Sequence, residues 1–155
     1  MKRVYLAGPD VFYPDAKERA ESLKKLCAAK GLEGVFPLDA DLDLDAIREP
    51  GDKGVAIFKA NLELITSCDA VLANMTPFRG PSMDVGTAYE MGVARGQGKP
   101  VVSYTSDRRL YERRVEDDGL LIERFNMVDN LMVDAGSEAI CPTPLAAVAF
   151  LAELL

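Results

Sequence analysis

Two carboxylates, Asp84 and Glu90, share the short stretch MDVGTAYEMG at 83–92 in a chain that contains no histidine. Without an imidazole, acid–base and nucleophilic work falls to carboxylates, Tyr, Lys or Cys. Glu90 is the sharper candidate. At helical spacing its neighbours are Gly86, Thr87, Val93 and Ala94, a small and mostly apolar face. An ionised carboxylate loses solvation there unless a polar or reacting group meets it. The structural alternative is an ion pair with Arg79 or Arg95. Asp84 falls at the start of the same helix, where a carboxylate accepts free backbone N–H groups and is favoured by the dipole, so an N-cap role would account for it. Two carboxylates within two turns also suit glycosyl chemistry, in which one attacks an anomeric carbon through an oxocarbenium-like transition state. Spacing alone does not separate that from a cap plus a salt bridge. Small residues at Gly86, Ala88 and Gly92 let the helix approach a sheet or admit a ligand. A G-x-G-x-x-G fingerprint and a P-loop are both absent.

The patterning around these residues predicts their scaffold. RVYLA at 3–7 is an apolar run ended by Gly8-Pro9, the mark of a buried strand closed by a turn. From Pro14 to Lys30, Ala20, Leu23, Leu26 and Cys27 recur at helical spacing, and Gly31 suits the position after the helix. EGVFP at 33–37 reads as a second strand. An acidic, irregular loop follows at 39–54, broken by Pro50, Gly51 and Gly54. Val55 to Ser67 predicts a helix, DAVLANM at 69–75 a strand and PFRGPS a loop. MDVGTAYEMGVARGQ predicts a helix stopped by GKP, and VVSYT at 101–105 a fourth strand. Strands alternating with helices imply right-handed crossovers and a parallel sheet. The segment 106–119 predicts a charged helix or lid, and a last strand is expected between Leu131 and Ile140. The final PLAAVAFLAELL carries a single charge, Glu153, so its helix should be buried on every side, with a second subunit covering any face left over. Ligands of such a sheet bind outside the carboxyl ends of the strands. Here those ends lead into the loops at Gly8–Pro14, Pro37–Gly54 and Asn74–Asp84 and the stretch after Thr105.

With 155 residues, 48% of them hydrophobic, the expectation is one domain. A net charge of −7 without a basic run argues against nucleic acid as partner. Cys27, Cys68 and Cys141 are far apart and lack a C-x-x-C pair, so they read as small buried hydrophobes and indicate neither a disulfide framework nor a zinc site. The apolar run before Pro9 is too short for a signal peptide and no segment reaches the length of a membrane span, which predicts a cytoplasmic protein.

At YLAGPDVF (5–12), PFRGPSMDVGTAYEMG (77–92), GKPV (98–101) and DNLM (129–132), in this order along the chain, the sequence resembles the nucleoside 2-deoxyribosyltransferases. The resemblance implies an α/β fold, a flavodoxin-like, doubly wound parallel sheet of about five strands with helices on both faces. It implies transfer of 2-deoxyribose between nucleobases, with Glu90 attacking C1′, a covalent glycosyl ester and retention through two displacements. Asp84 would hydrogen-bond the deoxyribose hydroxyls and help orient Glu90, and Tyr5 would stand beside the nucleophile. Gly8, Pro9, Phe12, Pro77, Phe78, Arg79, Gly80 and Ser82, within the same blocks, would line the substrate site. Asn130 and Met132 would be supplied to a neighbouring subunit's site, which needs a homo-oligomer. The implied partners are a 2′-deoxynucleoside and a free purine or pyrimidine base. No metal and no organic cofactor is implied.

Two positions depart from a well-known branch of that family. Asn61 stands where the branch has an Asp that assists departure of the base, and an amide cannot be a general acid. Asp41 stands where it has a base-recognising Gln, and a carboxylate would favour a base edge presenting N–H donors. Two other functions therefore remain in view. One is an N-glycosidase acting on deoxynucleosides or their 5′-monophosphates, although a related family with that activity often has Ser where this chain has Asp84, and a carboxylate there would repel a phosphate. The other is a non-catalytic nucleoside-binding module on the same fold.

Overall fold

The alternation in β1 (Lys2–Ala7) sends Val4 and Leu6 to one face of a sheet and Tyr5 and Ala7 to the other, and all four are buried. In the computed structural model, which describes residues 1–155, β1 lies between β2 (Leu32–Val35) and β3 (Ala70–Asn74). Beyond β3 come β4 (Val101–Tyr104) and β5 (Ala139–Cys141), giving a sheet of five strands, all parallel, in the order 2-1-3-4-5. That order is the doubly wound, flavodoxin-like one, and its direction switches between β1 and β3. The near-continuous apolar run of β3 is what burial on both faces demands, and every residue of it is buried.

Helices α1 (Ala16–Ala28) and α5 (Pro144–Leu154) cover one face, packing Leu23, Cys27, Val148 and Leu151 on Val4, Leu6, Leu72 and Val102. Helices α2 (Pro50–Ser67) and α3 (Val85–Gly96) cover the other, where Ile65, Met91 and Ala94 meet Tyr5, Val71, Ala73 and Val101. Burying one such aliphatic side chain contributes roughly 1.5–3 kcal/mol. No helix is long and apolar enough to cross a membrane.

Three local expectations are corrected. Helix α2 begins at Pro50 rather than Val55, because a proline at the first helical position starts a helix at no cost in donors, and Gly51 and Gly54 are tolerated in the opening turn. The segment 106–119 forms a single 3-10 turn at Tyr111–Arg113 rather than a helix; its arginines bond to nearby carbonyls and to Asp107 instead of pairing along a helix face. Between Leu131 and Ile140 the chain first makes a short helix, α4 (Leu131–Asp134), capped by the Asn130 side chain accepting from the Met132 N–H at 3.0 Å, and only then β5. The apolar α5 buries Ala147, Val148 and Leu151, while Leu145, Phe150 and Leu154 on its other side are exposed in the single chain.

Candidate active site

The parity of β1 puts Tyr5 on the α2–α3 face, and its hydroxyl donates to Oε1 of Glu90 at 2.7 Å. Glu90 lies in the second turn of α3, whose start is fixed by Asp84. One carboxylate oxygen of Asp84 accepts from both the backbone N–H and the hydroxyl of Thr87, each at 2.8 Å, so Asp84 is an N-cap. From α2, the Asn61 amide donates to the same Oε1 of Glu90 at 3.4 Å. Both bonds thus fall on one oxygen, and Oε2 has no hydrogen bond within the chain.

The salt-bridge explanation of Glu90 does not hold. Arg95 pairs with Glu138, and the Arg79 guanidinium lies over the rings of Phe12 and Phe78, 5.3 and 4.8 Å from their centroids. Glu90 has no cation. Burial pushes its carboxyl up to about 7, and the nearby Asp84 charge adds to the rise while the bonds from Tyr5 and Asn61 oppose it. Burial, with the Glu90 charge, drives the Tyr5 hydroxyl far above its usual range, so it remains a protonated donor.

Glu90 opens onto a cavity of about 510 Å³ at the carboxyl ends of β1 and β2. The lining is of two kinds: a polar part formed by Asn61, Asp84, Thr87 and Glu90, and an apolar part to which Val11, Phe12, Leu38, Leu42, Leu44 and, one turn from Asn61 on α2, Ile57 contribute. Gly8, also in the lining, is at a close approach of backbone to side chains: a Cβ there would come within 2.7 Å of the Asp10 carboxylate and 2.9 Å of the Asn74 Cβ. Such a lining, mostly apolar with a few convergent polar groups, suits a flat, uncharged ligand of nucleoside size.

The family model for nucleoside 2-deoxyribosyltransferases matches residues 4–132, which include every strand and helix that borders this cavity. The chain belongs to that family. A 2-deoxyribosyltransferase from Leishmania mexicana is 31% identical, with 99% of this chain and 98% of that one covered at a TM-score of 0.82. A 2-deoxyribosyltransferase from Bacillus psychrosaccharolyticus shares the fold at a TM-score of 0.63 and 22% identity, over 92% of this chain and 87% of its own. An uncharacterized protein of Schizosaccharomyces pombe is 37% identical over 113 residues, 72% of this chain and 54% of that protein. The chain therefore spans about half the length of that relative.

Of the residues that the 2-deoxyribosyltransferase resemblance selects, Tyr5, Gly8, Phe12, Asn61, Asp84 and Glu90 come together at or directly beneath the cavity. Pro9 is buried at the head of the 3-10 turn that carries Phe12. Phe78 stacks on Phe12 at 5.5 Å, with Arg79 above both, at the rim. Pro77 and Gly80 border a separate cleft shared with Arg109 and Arg113. Ser82 does not face the cavity; its hydroxyl donates to the buried carboxylate of Asp129. Asp41 is exposed, outside the lining to which its neighbours Ala40 and Leu42 belong. Asn130 bonds Glu123 at 2.7 Å, and Met132, 74% exposed, lies in a groove against another face of α3 with Ala88, Met91 and Gly92. The leucines of the acidic loop escaped the sequence reading. Their signal was there: Leu38, Leu42 and Leu44 interrupt a run of aspartates that would otherwise be wholly solvated.

Proposed function

We propose that this chain moves a 2-deoxyribosyl group from one nucleobase to another through a covalent ester on Glu90. The observation that carries this reading is Glu90 itself, desolvated, without a cation, held by one oxygen and free at the other. A carboxylate kept for structure alone is paired with a cation or fully hydrogen-bonded. The relationship to a named 2-deoxyribosyltransferase at 31% identity supports the same reading.

In the first displacement Oε2 of Glu90 bonds to C1′, and the C1′–N bond breaks with its electron pair leaving on the base, which takes a proton from water. Tyr5 and Asn61 hold the carboxylate in the attacking rotamer. In the second, a nitrogen of the incoming base attacks C1′ and gives up its proton to water, replacing the one the first base took, while the ester C–O bond breaks and the carboxylate is restored. Two inversions at one carbon give retention. Asp84 accepts a hydrogen bond from the sugar's 5′-hydroxyl, and its charge repels a 5′-phosphate, which selects nucleosides over nucleotides. The apolar wall takes the base.

The test is incubation of the pure protein with 2′-deoxyadenosine and cytosine, followed by chromatography. Deoxycytidine is the expected product; adenine and free deoxyribose alone would make the protein a hydrolase, and no change would leave a binding module. A slow 2′-fluoro substrate should leave a sugar adduct visible by intact mass in the parent protein and absent from Glu90→Ala. Preference for the 5′-monophosphate would sink the role given to Asp84.

A further inference from the structure

The carboxylate of Asp129 is 1% exposed, lies outside the cavity and is used by nothing in the reaction just described. It is nonetheless among the most heavily bonded side chains in the molecule. It accepts from the Ser82 hydroxyl, from the Met83 N–H at 2.9 Å and from the Asn130 N–H at 2.8 Å. Its ion-pair partner is Arg114, 4% exposed, at 3.7 Å. Arg114 in turn donates to the carbonyls of Pro81 at 3.0 Å, Asp107 at 3.2 Å and Val128. A buried pair of this kind contributes little net stability against an apolar replacement, and its effect is to fix one arrangement of the chain.

What it fixes is the end of the loop that leads into α3. Ser82 and Met83 are tied to Asp129 by side chain and backbone, Pro81 is tied to Arg114, and the next residue is Asp84. Thr87 holds Asp84 from the helix side. From the loop side the Met83 side chain is buried against Tyr5, Ala7 and Met91, and every hydrogen bond that ties 77–83 to the rest of the chain runs to the Asp129–Arg114 pair, since the bond from the Phe78 N–H to the Ser82 carbonyl stays inside the loop. The geometry points to Asp129 as a positioning residue of the active site, one that sets Asp84 against the sugar by clamping the two residues before it. Asp129 touches no substrate; it acts through Asp84. The inference rests on the reading of Asp84 as the acceptor of the sugar hydroxyl.

The measurement is the ratio of kcat/KM for 2′-deoxyadenosine to that for 2′,5′-dideoxyadenosine, which lacks the hydroxyl, in the parent, Asp129→Asn, Ser82→Ala and Asp84→Ala. A hydrogen bond to a carboxylate makes the parent ratio about 10- to 100-fold. Asp84→Ala should bring it to about one by deleting that bond. Asp129→Asn should cut it about fivefold or more while the Glu90 sugar adduct still forms, and Ser82→Ala, which removes one bond and keeps the carboxylate, should cut it by a smaller factor. A mere loss of stability lowers both rate constants together and leaves the ratio alone. If the ratio is unchanged in Asp129→Asn and Ser82→Ala but collapses in Asp84→Ala, the positioning role is overturned and Asp84 keeps its own. An unchanged ratio in Asp84→Ala overturns both. Should Asp129→Asn fail to fold, Ser82→Ala alone decides.

Discussion

Asn61, Asp84 and Glu90 in the cavity lining, with Tyr5 beneath them, stand on a strand and two helices and are bonded to one another or to their own helix; of the apolar wall, Leu38, Leu42 and Leu44 hang from the loop between β2 and α2. The loop is fastened near its start, where Asp39 accepts from Lys24 Nζ at 2.7 Å and from the Phe36 N–H at 2.8 Å, and then by short local bonds such as Asp43 to the Ala46 N–H at 3.3 Å. Under the function proposed above, the difference follows from what each wall would do. Bond making at C1′ needs a carboxylate placed to within a fraction of an ångström, which regular elements supply. Holding a flat base needs only apolar contact, which a loop supplies and can vary.

Substitutions on the two walls should therefore fail differently. Removing the proposed nucleophile is the most severe: Glu90→Ala should lower kcat by about 10⁴-fold or more, measured by single-turnover base exchange, with the circular dichroism of the fold retained. Next comes acid. Attack requires an ionised Glu90, and its carboxyl titrates at about 7, so kcat/KM should be flat above that pH and fall about tenfold per unit below it. The same shift has a stability consequence with a definite sign. Between its ordinary value of 4.5 and about 7 the folded state holds a proton that the unfolded state has lost, so Glu90 weakens the fold as pH rises through that window. Glu90→Gln should accordingly be more stable than the parent at pH 8, by about 1–3 kcal/mol in urea, and equal to it near pH 4.

Tyr5→Phe should lower kcat about tenfold and move the acid limb of the pH profile upward, because the lost bond favoured the ionised carboxylate. The mildest effect belongs to the loop wall. Leu42→Ala should raise KM a few-fold, with kcat and the pH profile in place, as removal of partly exposed apolar contact does. A large drop in kcat on Leu42→Ala, or a change confined to KM on Tyr5→Phe, would erase the distinction between the walls.

Much of this was legible beforehand, for reasons that can be named. The β3 run and the 3.6-period of α1 identify themselves by hydrophobic pattern, and the strand–helix alternation then fixes a parallel sheet. Glu90 was visible because a charged residue on a small, apolar helical face has no solvent explanation. The Tyr5–Glu90 bond joins residues 85 apart, and what places Tyr5 under α3 is the parity of β1 combined with the strand order, neither of which is a local signal. Ser82 and Asp129, 47 apart, are a harder case: both stood inside recognised blocks, and attention to what lines a site hides what holds it. Asp41 shows the opposite failure. In DADLDLDA the polar positions alternate with leucines, and the leucines, not the aspartates, belong to the cavity lining.

Asp84 begins a helix and also borders the cavity. Ser and Asn cap a helix start about as well as Asp does. The charge that Asp84 brings to the cavity can thus be erased by one substitution with α3 still properly started. With the selection proposed for Asp84, that is a short, folded path between neutral and phosphorylated substrates, in which no intermediate sequence has to pass through a collapsed helix.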